Sequence, residues 1–322
     1  ACGAENISFS NFSRANNDFI LYPKIIRDKL IRDGIEEFSV YKGAFIKSTD
    51  GGLNWQRASQ FDTSTGYVVD INFFNASTGY SLIQGNFSAQ TKFYKTTNAG
   101  TNWQLVKQFD TSYVDKMIFF DMNTGIARGI NWQKKIYKTT NAGVNWDVTN
   151  MADMISNITF FNSTTGIAIG FSEPDTTKIY RTTNTGGNWN LISTFKGYKS
   201  YNNLLSLPNT GTAFALGNNI DTLAMWIDKI TTLKTTNYGL NWVSKDFNPK
   251  LLAYGLSLVD TNNFFIGAGE TNIAAQILKS TNGGNVFVNQ IGTVVPSAYS
   301  LGQNYPNPFN ARTVIRFEVQ KL

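Results

Sequence analysis

One short stretch, typified by Lys95-Thr-Thr-Asn-Ala-Gly-Thr-Asn-Trp103, recurs in near-copies along the whole chain, and its spacing restricts the fold more than any other feature. The copies occupy residues 48–55, 96–103, 139–146, 182–189, 235–242 and 280–287, and their glycines (Gly52, Gly100, Gly143, Gly186, Gly239 and Gly284) lie 48, 43, 43, 53 and 45 residues apart. A period of this length belongs to stacked or radial repeats. Within each copy the side chains fit a tight turn. Ser48, Thr96, Thr139, Thr182, Thr235 and Ser280 carry hydroxyls that can fold back on the backbone. Asp50, Asn98, Asn141, Asn184, Asn237 and Asn282 supply a short acceptor, and the glycine admits positive φ. Trp55, Trp103, Trp146, Trp189, Trp242 and Phe287 each bring a large ring to bury, so the turn is expected to act as a plug.

Each unit has a second signature upstream of this turn: a strand ending in an apolar pair, a short Thr-Gly turn, and another strand. Ile71-Asn-Phe-Phe74 before Thr78-Gly79, Ile118-Phe-Phe120 before Thr124-Gly125, and Ile158-Thr-Phe-Phe161 before Thr165-Gly166 are the clearest cases. Just ahead of the repeated turn stand adjacent apolar residues such as Phe93-Tyr94, Ile136-Tyr137 and Ile179-Tyr180. Neighbours in a strand point to opposite faces, so apolar pairs mean that both faces of the sheet are covered. Four strands per unit with both faces buried predict an all-β fold, a β-propeller of four-stranded antiparallel blades. Six blades are counted, with seven the alternative for a longer chain. The propeller is assigned to residues 1–297.

The pattern Ser/Thr-x-Asp/Asn-x-Gly-x-x-Trp resembles the Asp-box, or BNR, repeat of sialidases, xyloglucanases, sortilin-type receptors and the photosystem II assembly and stability factors. The resemblance covers roughly residues 5 to 295, with Asn at five of the six acidic positions and Phe287 in place of the last Trp. Asn keeps the backbone-bonding role and tolerates left-handed geometry, so the turn is expected to survive the change.

Composition narrows the chemistry. The 322 residues contain no histidine and one cysteine, which excludes an internal disulfide, a histidine metal site and an imidazole general base. No metal site and no cofactor are expected. A net charge of +6 comes from 28 basic residues spread along the chain without the dense cluster of a nucleic-acid arm, so no nucleic-acid partner is expected. No apolar run approaches the roughly 18 residues of a membrane span, and the chain is read as soluble and monomeric. Ala1-Cys2-Gly3-Ala4 leads into polar sequence with no apolar signal segment, a mature or truncated start in which Cys2 reads as a plain unpaired thiol.

From residue 298 the repeat gives way to Tyr299-Ser-Leu-Gly-Gln303-Asn304-Tyr305-Pro306-Asn307-Pro308-Phe309-Asn310, followed by a strand-like Thr313-Val-Ile-Arg-Phe317. This segment resembles the opening of the C-terminal sorting domain carried by type IX secretion cargo in Bacteroidota. The resemblance implies that residues 298–322 are the truncated start of that domain. It also implies that the type IX machinery is a partner, and that the protein is secreted or held on the outer cell surface.

In a four-stranded meander the connections between strands 1 and 2 and between strands 3 and 4 share one face of the propeller. The remaining connections share the other. The first face carries the repeated turns; the second carries loops that differ in every blade, where binding residues are expected. On that second face stand Trp132 and Trp226, the two tryptophans outside the repeat, and the acidic residues Glu173, Asp175, Asp221, Asp228 and Glu270. The tryptophans are candidate stacking platforms or simply covers for their own blades. The carboxylates are candidates for a glycosidic pair or simply solvated loop charges. Two further features are read from the residues. The alternating segment from Pro23 to Gly34 is expected to form one or two helical turns. The cation before each turn (Lys47, Lys95, Lys138, Arg181, Lys234 and Lys279) is expected to guard exposed strand edges.

Three functions are weighed. The first is a non-catalytic binding or scaffold module recognising a glycan or protein through the second face. The alternatives are a carboxylate-based glycoside hydrolase of the sialidase-like kind and an assembly factor. No catalytic residue is assigned, because the arginines Arg14, Arg27, Arg32, Arg57, Arg128 and Arg181 sit in no recognisable sialidase context.

Overall fold

The computed structural model describes residues 66–85, 90–109, 113–129, 133–172, 176–196, 199–221, 226–247, 252–270 and 273–284 in continuous runs. It also gives the strand segments between residues 8 and 58, Asn54, and the short strands at 289–290, 300–301 and 317–318. The described strands form six four-stranded sheets, each antiparallel and each taken in chain order. The first sheet consists of Ser8–Ala15, Asp18–Ile25, Phe45–Ser48 and Gln56–Ala58. The second comprises Gly66–Phe73, Gly79–Gly85, Thr91–Thr96 and Gln104–Phe109; the third, Val114–Phe119, Gly125–Gly129, Lys135–Thr139 and Asp147–Asn150. Met154–Phe160, Gly166–Ser172, Thr176–Thr182 and Asn190–Lys196 make the fourth, and Lys199–Ser206, Ala213–Asp221, Trp226–Thr235 and Val243–Phe247 the fifth. The sixth holds Leu252–Leu258, Phe264–Glu270, Ile273–Ser280 and Asn289–Gln290.

The core lies between the sheets. One cluster joins Tyr80, Leu82 and Phe93 of the second sheet to Val114, Met117 and Phe119 of the third. Equivalent clusters join the third to the fourth, the fourth to the fifth, and the fifth to the sixth. The second strands of the second, third and fourth sheets, apolar on both faces, are accordingly mostly buried, Gly125–Gly129 throughout, while their fourth strands are largely exposed. First strands of successive sheets also lie side by side, Ser8–Ala15 against Gly66–Phe73 and Lys199–Ser206 against both Met154–Phe160 and Leu252–Leu258. They are the strands nearest a common axis.

The repeated turn is built as its residues suggest. Thr96 Oγ1 accepts from the N–H of Gly100 at 3.0 Å, Asn98 Oδ1 accepts from the N–H of Asn102 at 2.8 Å, and Trp103 Nε1 donates to the Gly100 carbonyl at 3.1 Å. The turns of Thr139 and Thr235 repeat all three bonds. Two consecutive residues are left-handed, as at Thr185 (φ 57) and Gly186 (φ 71), and the first donates its N–H to the strand 1 to 2 connection, Thr185 to the Thr164 carbonyl at 2.9 Å. The turn of the first sheet, with Asp50, Gly52 and Trp55, lies outside the described residues, as does Phe287.

Two expectations about this region change. The four described turn tryptophans are half-buried and not sealed plugs, and in three of them, Trp103, Trp146 and Trp242, the N–H turns back to its own turn. The cations before the turns do not guard edges. They sit on third strands, inside the sheets, and three of them reach the turn of the next sheet. Lys138 Nζ donates to the Asn184 carbonyl (3.2 Å), Arg181 Nε to that of Tyr238 (2.7 Å), and Lys234 Nζ to those of Gly283 (3.0 Å) and Thr261 (3.3 Å).

The segment after Pro23 is also not helical. Arg27–Asp28 pairs with Val40–Tyr41, and Ile31–Arg32 with Ile35–Glu36, an extended ribbon between the second and third strands of the first sheet. Arg32 pairs with Ile35, leaving only Asp33-Gly34 between them, the dipeptide favoured in two-residue hairpins. That signal outweighs the alternating charge. Ser300–Leu301 pairs with Phe317–Glu318 beyond the sixth sheet; the motif from Gln303 to Asn310 lies outside the described residues.

Candidate functional site

The end of the molecule opposite the repeated turns is built from the entry of each first strand and the hairpins between second and third strands. Every first strand carries a register shift near its start: between Phe9 and Asn11, Leu82's partner Asp70 and Val68, Val114 and Lys116, Ile155 and Asn157, Tyr201 and Asn203, and Ala253 and Gly255. A bulge inserts one extra residue and turns side chains that a regular pleat would place elsewhere. The residue just past it is polar in five sheets: Asn11, Asp70, Lys116, Asn157 and Asn203.

Three of these polar residues, Asp70, Lys116 and Asn203, meet the next sheet. Asp70 Oδ2 accepts from the N–H of Met117 at 2.7 Å and its Oδ1 from that of Ile71 at 3.0 Å. Lys116 Nζ donates to Asn157 Oδ1 at 2.8 Å, and Asn203 Nδ2 to the Tyr254 carbonyl at 3.3 Å. First strands are edges, and an edge N–H needs an acceptor. Thr91 Oγ1 serves Val114 (2.9 Å) and Asn218 Oδ1 serves Ala253 (2.9 Å) in the same way.

Two charged groups concentrate here. In the first, Arg128 forks onto Asp115, with Nε to Oδ1 at 2.8 Å and the second nitrogen on Oδ2, beside Lys116 and Asp70. Burial raises the Asp70 carboxyl to about 7, against the pull of the Met117 N–H and the Lys116 charge. Burial, aided by Arg128, lowers the Lys116 amine. In the second, Tyr180 donates its hydroxyl to Asp153 Oδ2 and Lys178 Nζ lies 3.1 Å away. Burial would raise the Asp153 carboxyl, but its hydrogen bonds from Tyr180, Lys178 and Ser172 prevail and hold it below the usual range. Burial and the same carboxylate push the Tyr180 phenol up. Chemically these are carboxylates whose oxygens already accept protein donors. Among the described residues no three Cys, Asp or Glu side chains gather as a metal cage would require.

The structure brings some predicted site residues together. Asp221 pairs with Trp226 across the tip of the hairpin between second and third strands of the fifth sheet, and Asp228 follows two residues on. Glu270 occupies the corresponding tip in the sixth sheet, paired with Ile273. Trp132, Glu173 and Asp175 lie outside the described residues. Asp70, Asp115, Lys116, Arg128, Asp153 and Tyr180 are additions that the sequence reading missed. A signal for part of this set exists: Asp70, Lys116, Asn157 and Asn203 each stand three residues before the last residue of their strand, at Phe73, Phe119, Phe160 and Ser206.

No protein-family model matches this sequence, and no curated protein does. Solved structures do. YCF48 bound to D1 peptide superposes with a TM-score of 0.61 at 15% identity, over 93% of this chain and 87% of that one. YCF48 from Cyanidioschyzon merolae gives 0.59 at 14% identity, over 87% and 84%. A GH74 xyloglucanase from Xanthomonas campestris gives 0.58 at 12% identity over 86% of this chain, which spans 45% of that enzyme's length. The chain has a β-propeller fold. At these identities the likeness carries the fold of the propeller and leaves its chemistry to be argued from its own residues. Among the described residues, no helix of the propeller is long and apolar enough to cross a membrane.

Proposed function

We propose that this propeller is a non-catalytic binding module that recognises a protein or glycan through the face opposite the repeated turns. The observation that carries the reading is the division of polar groups between the two ends. At the repeated turns, hydroxyls, amides and cations are engaged within the turns and from sheet to sheet. At the other end the hairpins differ in length and content, and that of the fifth sheet sets Asp221, Trp226 and Asp228 at one tip. Variable loops on a rigid frame are the usual seat of recognition. A propeller of similar shape, YCF48, is bound to a D1 peptide, which supports a polypeptide ligand as readily as a glycan.

The alternative is a hydrolase, favoured by the GH74 neighbours and by the Asp70 carboxyl near 7, in the range of a general acid. Both Asp70 oxygens accept backbone N–H groups, and this supports a tie between sheets over an acid facing substrate. We further read the repeated turn as an Asp-box and the segment from Gln303 to Asn310 as a type IX sorting signal, so that the propeller works outside the cell, released or surface-held.

Screening the purified protein on a glycan array and against peptides, followed by Trp132→Ala and Trp226→Ala, tests the reading. Binding weakened by either substitution supports it. Hydrolysis of any array sugar overturns the non-catalytic assignment, and binding indifferent to both substitutions overturns the choice of face residues.

A further inference from the structure

The sixth sheet has a face prepared for a neighbour that the six sheets do not supply. In the second to fifth sheets, the third-strand residue turned to the following sheet is covered. Phe93, Ile136 and Ile179, on the third strands, are fully buried. The apolar residue that follows the first strand stacks edge-on against the next sheet, Phe74 with Phe119 (5.8 Å), Phe120 with Phe160 (4.7 Å) and Phe161 with Tyr238 (5.4 Å between centroids). The cation before the turn donates to a carbonyl of the next turn from Lys138, Arg181 and Lys234.

In the sixth sheet the same positions are open. Ile277, the counterpart of Phe93, is 55% exposed, and Val259, the counterpart of Phe74, is 62% exposed. A Cβ built on Gly255 would meet nothing within 4 Å, and one on Gly267 only the Gly255 backbone at 4.0 Å. Lys279 lies over the Phe265 ring of its own sheet at 5.9 Å, as Lys95 lies over Tyr80 at 5.7 Å in the second sheet. The first sheet does not fill this place: Ser8–Ala15 and Asp18–Ile25 pack on Gly66–Phe73 of the second sheet, and Ile277 remains exposed with all six sheets present.

We infer that this face takes a seventh four-stranded sheet of the same kind, supplied by sequence of the same polypeptide outside residues 1–322. Continuity with four equivalent interfaces fixes its chemistry. It brings turn carbonyls to Lys279, an apolar residue to Val259, and large side chains to the space over Gly255 and Gly267. Burying Ile277 and Val259 there removes two aliphatic side chains from water, as the four junctions from the second sheet to the sixth bury theirs.

Maleimide labelling tests this in a Cys2→Ser background. Ile277→Cys is compared in the 322-residue chain and in the protein from its complete reading frame, with Leu105→Cys, on an outer strand and 47% exposed, as the control. The expected result is a rate at Ile277→Cys about a hundredfold lower in the complete protein, as for a site that reacts only on local opening, and equal rates at Leu105→Cys. Equal rates at Ile277→Cys in the two proteins overturn the inference; if both are slow, the first sheet closes the ring. Protection that grows with the concentration of the 322-residue chain assigns the face to a second copy and likewise overturns it. So does a complete reading frame without a further copy of the turn.

Discussion

Arg181, on the third strand of the fourth sheet, donates from Nε to the carbonyl of Tyr238, in the turn of the fifth sheet, at 2.7 Å. Tyr238 is itself left-handed (φ 57), a conformation that costs a bulky residue energy, and the guanidinium fixes the carbonyl that this conformation presents. Arg181→Ala should therefore lower stability by about 1 kcal/mol, the scale of a charged hydrogen bond at an exposed site. Arg181→Lys should recover part of it. Guanidinium melts of the two variants check this, and equal loss in both would show that the fork geometry matters more than the charge.

The turn glycines face a second constraint beside their backbone angles. Gly143 (φ +84) lies against the Phe93 ring of the preceding sheet, and a Cβ on Gly186 (φ +71) would stand 2.6 Å from Ile126 Cδ1. Gly143→Ala should cost about 3 kcal/mol through strain and overpacking together. Thr185→Gly, one position earlier in its turn, should do the opposite, stabilising by up to about 1 kcal/mol by relieving a β-branched residue at φ 57. Calorimetric melting points with opposite signs for the two variants are the expected outcome.

Trp146 touches Phe93, Phe109 and Phe119 at centroid distances of 5.6, 5.7 and 6.1 Å and donates to the Gly143 carbonyl at 2.9 Å. Its half-burial sets the expected loss for Trp146→Ala at about 3 kcal/mol, the low end of the range for a large aromatic. Trp146→Phe should lose about 1 kcal/mol, for the hydrogen bond alone. Ligand binding should be unchanged in both, measured by titration at a temperature where each is folded.

The Asp70 carboxyl gives a pH dependence of defined sign. Its value in the folded protein, about 7, exceeds the ordinary 3.8, so the folded state holds the proton more tightly than the unfolded chain does. The stability from this group is complete below about pH 4 and is lost as pH rises through 7, an amount of order 4 kcal/mol. Asp70→Asn keeps one acceptor but loses the second, so it should be less stable than the parent at low pH, with the difference shrinking as pH rises. Asp153, held below its ordinary value, acts in the opposite direction, losing its contribution as pH falls, which makes the comparison between variant and parent the decisive quantity. Parallel melting curves from pH 5 to pH 8 would exclude the assignment.

The layered part of the fold was readable from the residues because period, apolar pairs and turn chemistry all report on local geometry. Thr96, Asn98 and Gly100 occupy the turn for the reasons their types suggest. The ties between sheets were not readable, because the partner of Arg181 lies 57 residues away and nothing local distinguishes a lysine that guards an edge from one that reaches a carbonyl. The hairpin at Arg32 and Ile35 was legible in Asp33-Gly34 but masked by the alternating charge around it. Of the candidate site residues, Asp221, Trp226 and Asp228 share one hairpin tip, as their closeness in sequence implies. The Asp70 and Arg128 cluster was missed because a buried charge in a first strand looks, in sequence, like any polar residue in an alternating run.

The three cations that cross between sheets, Lys138, Arg181 and Lys234, reach in one direction along the chain, from an earlier sheet to the turn of a later one. A chain that emerges amino end first therefore presents a charged arm before the loop it will hold exists. At these junctions each new turn arrives at a donor already in place, and the ring can grow by successive capture.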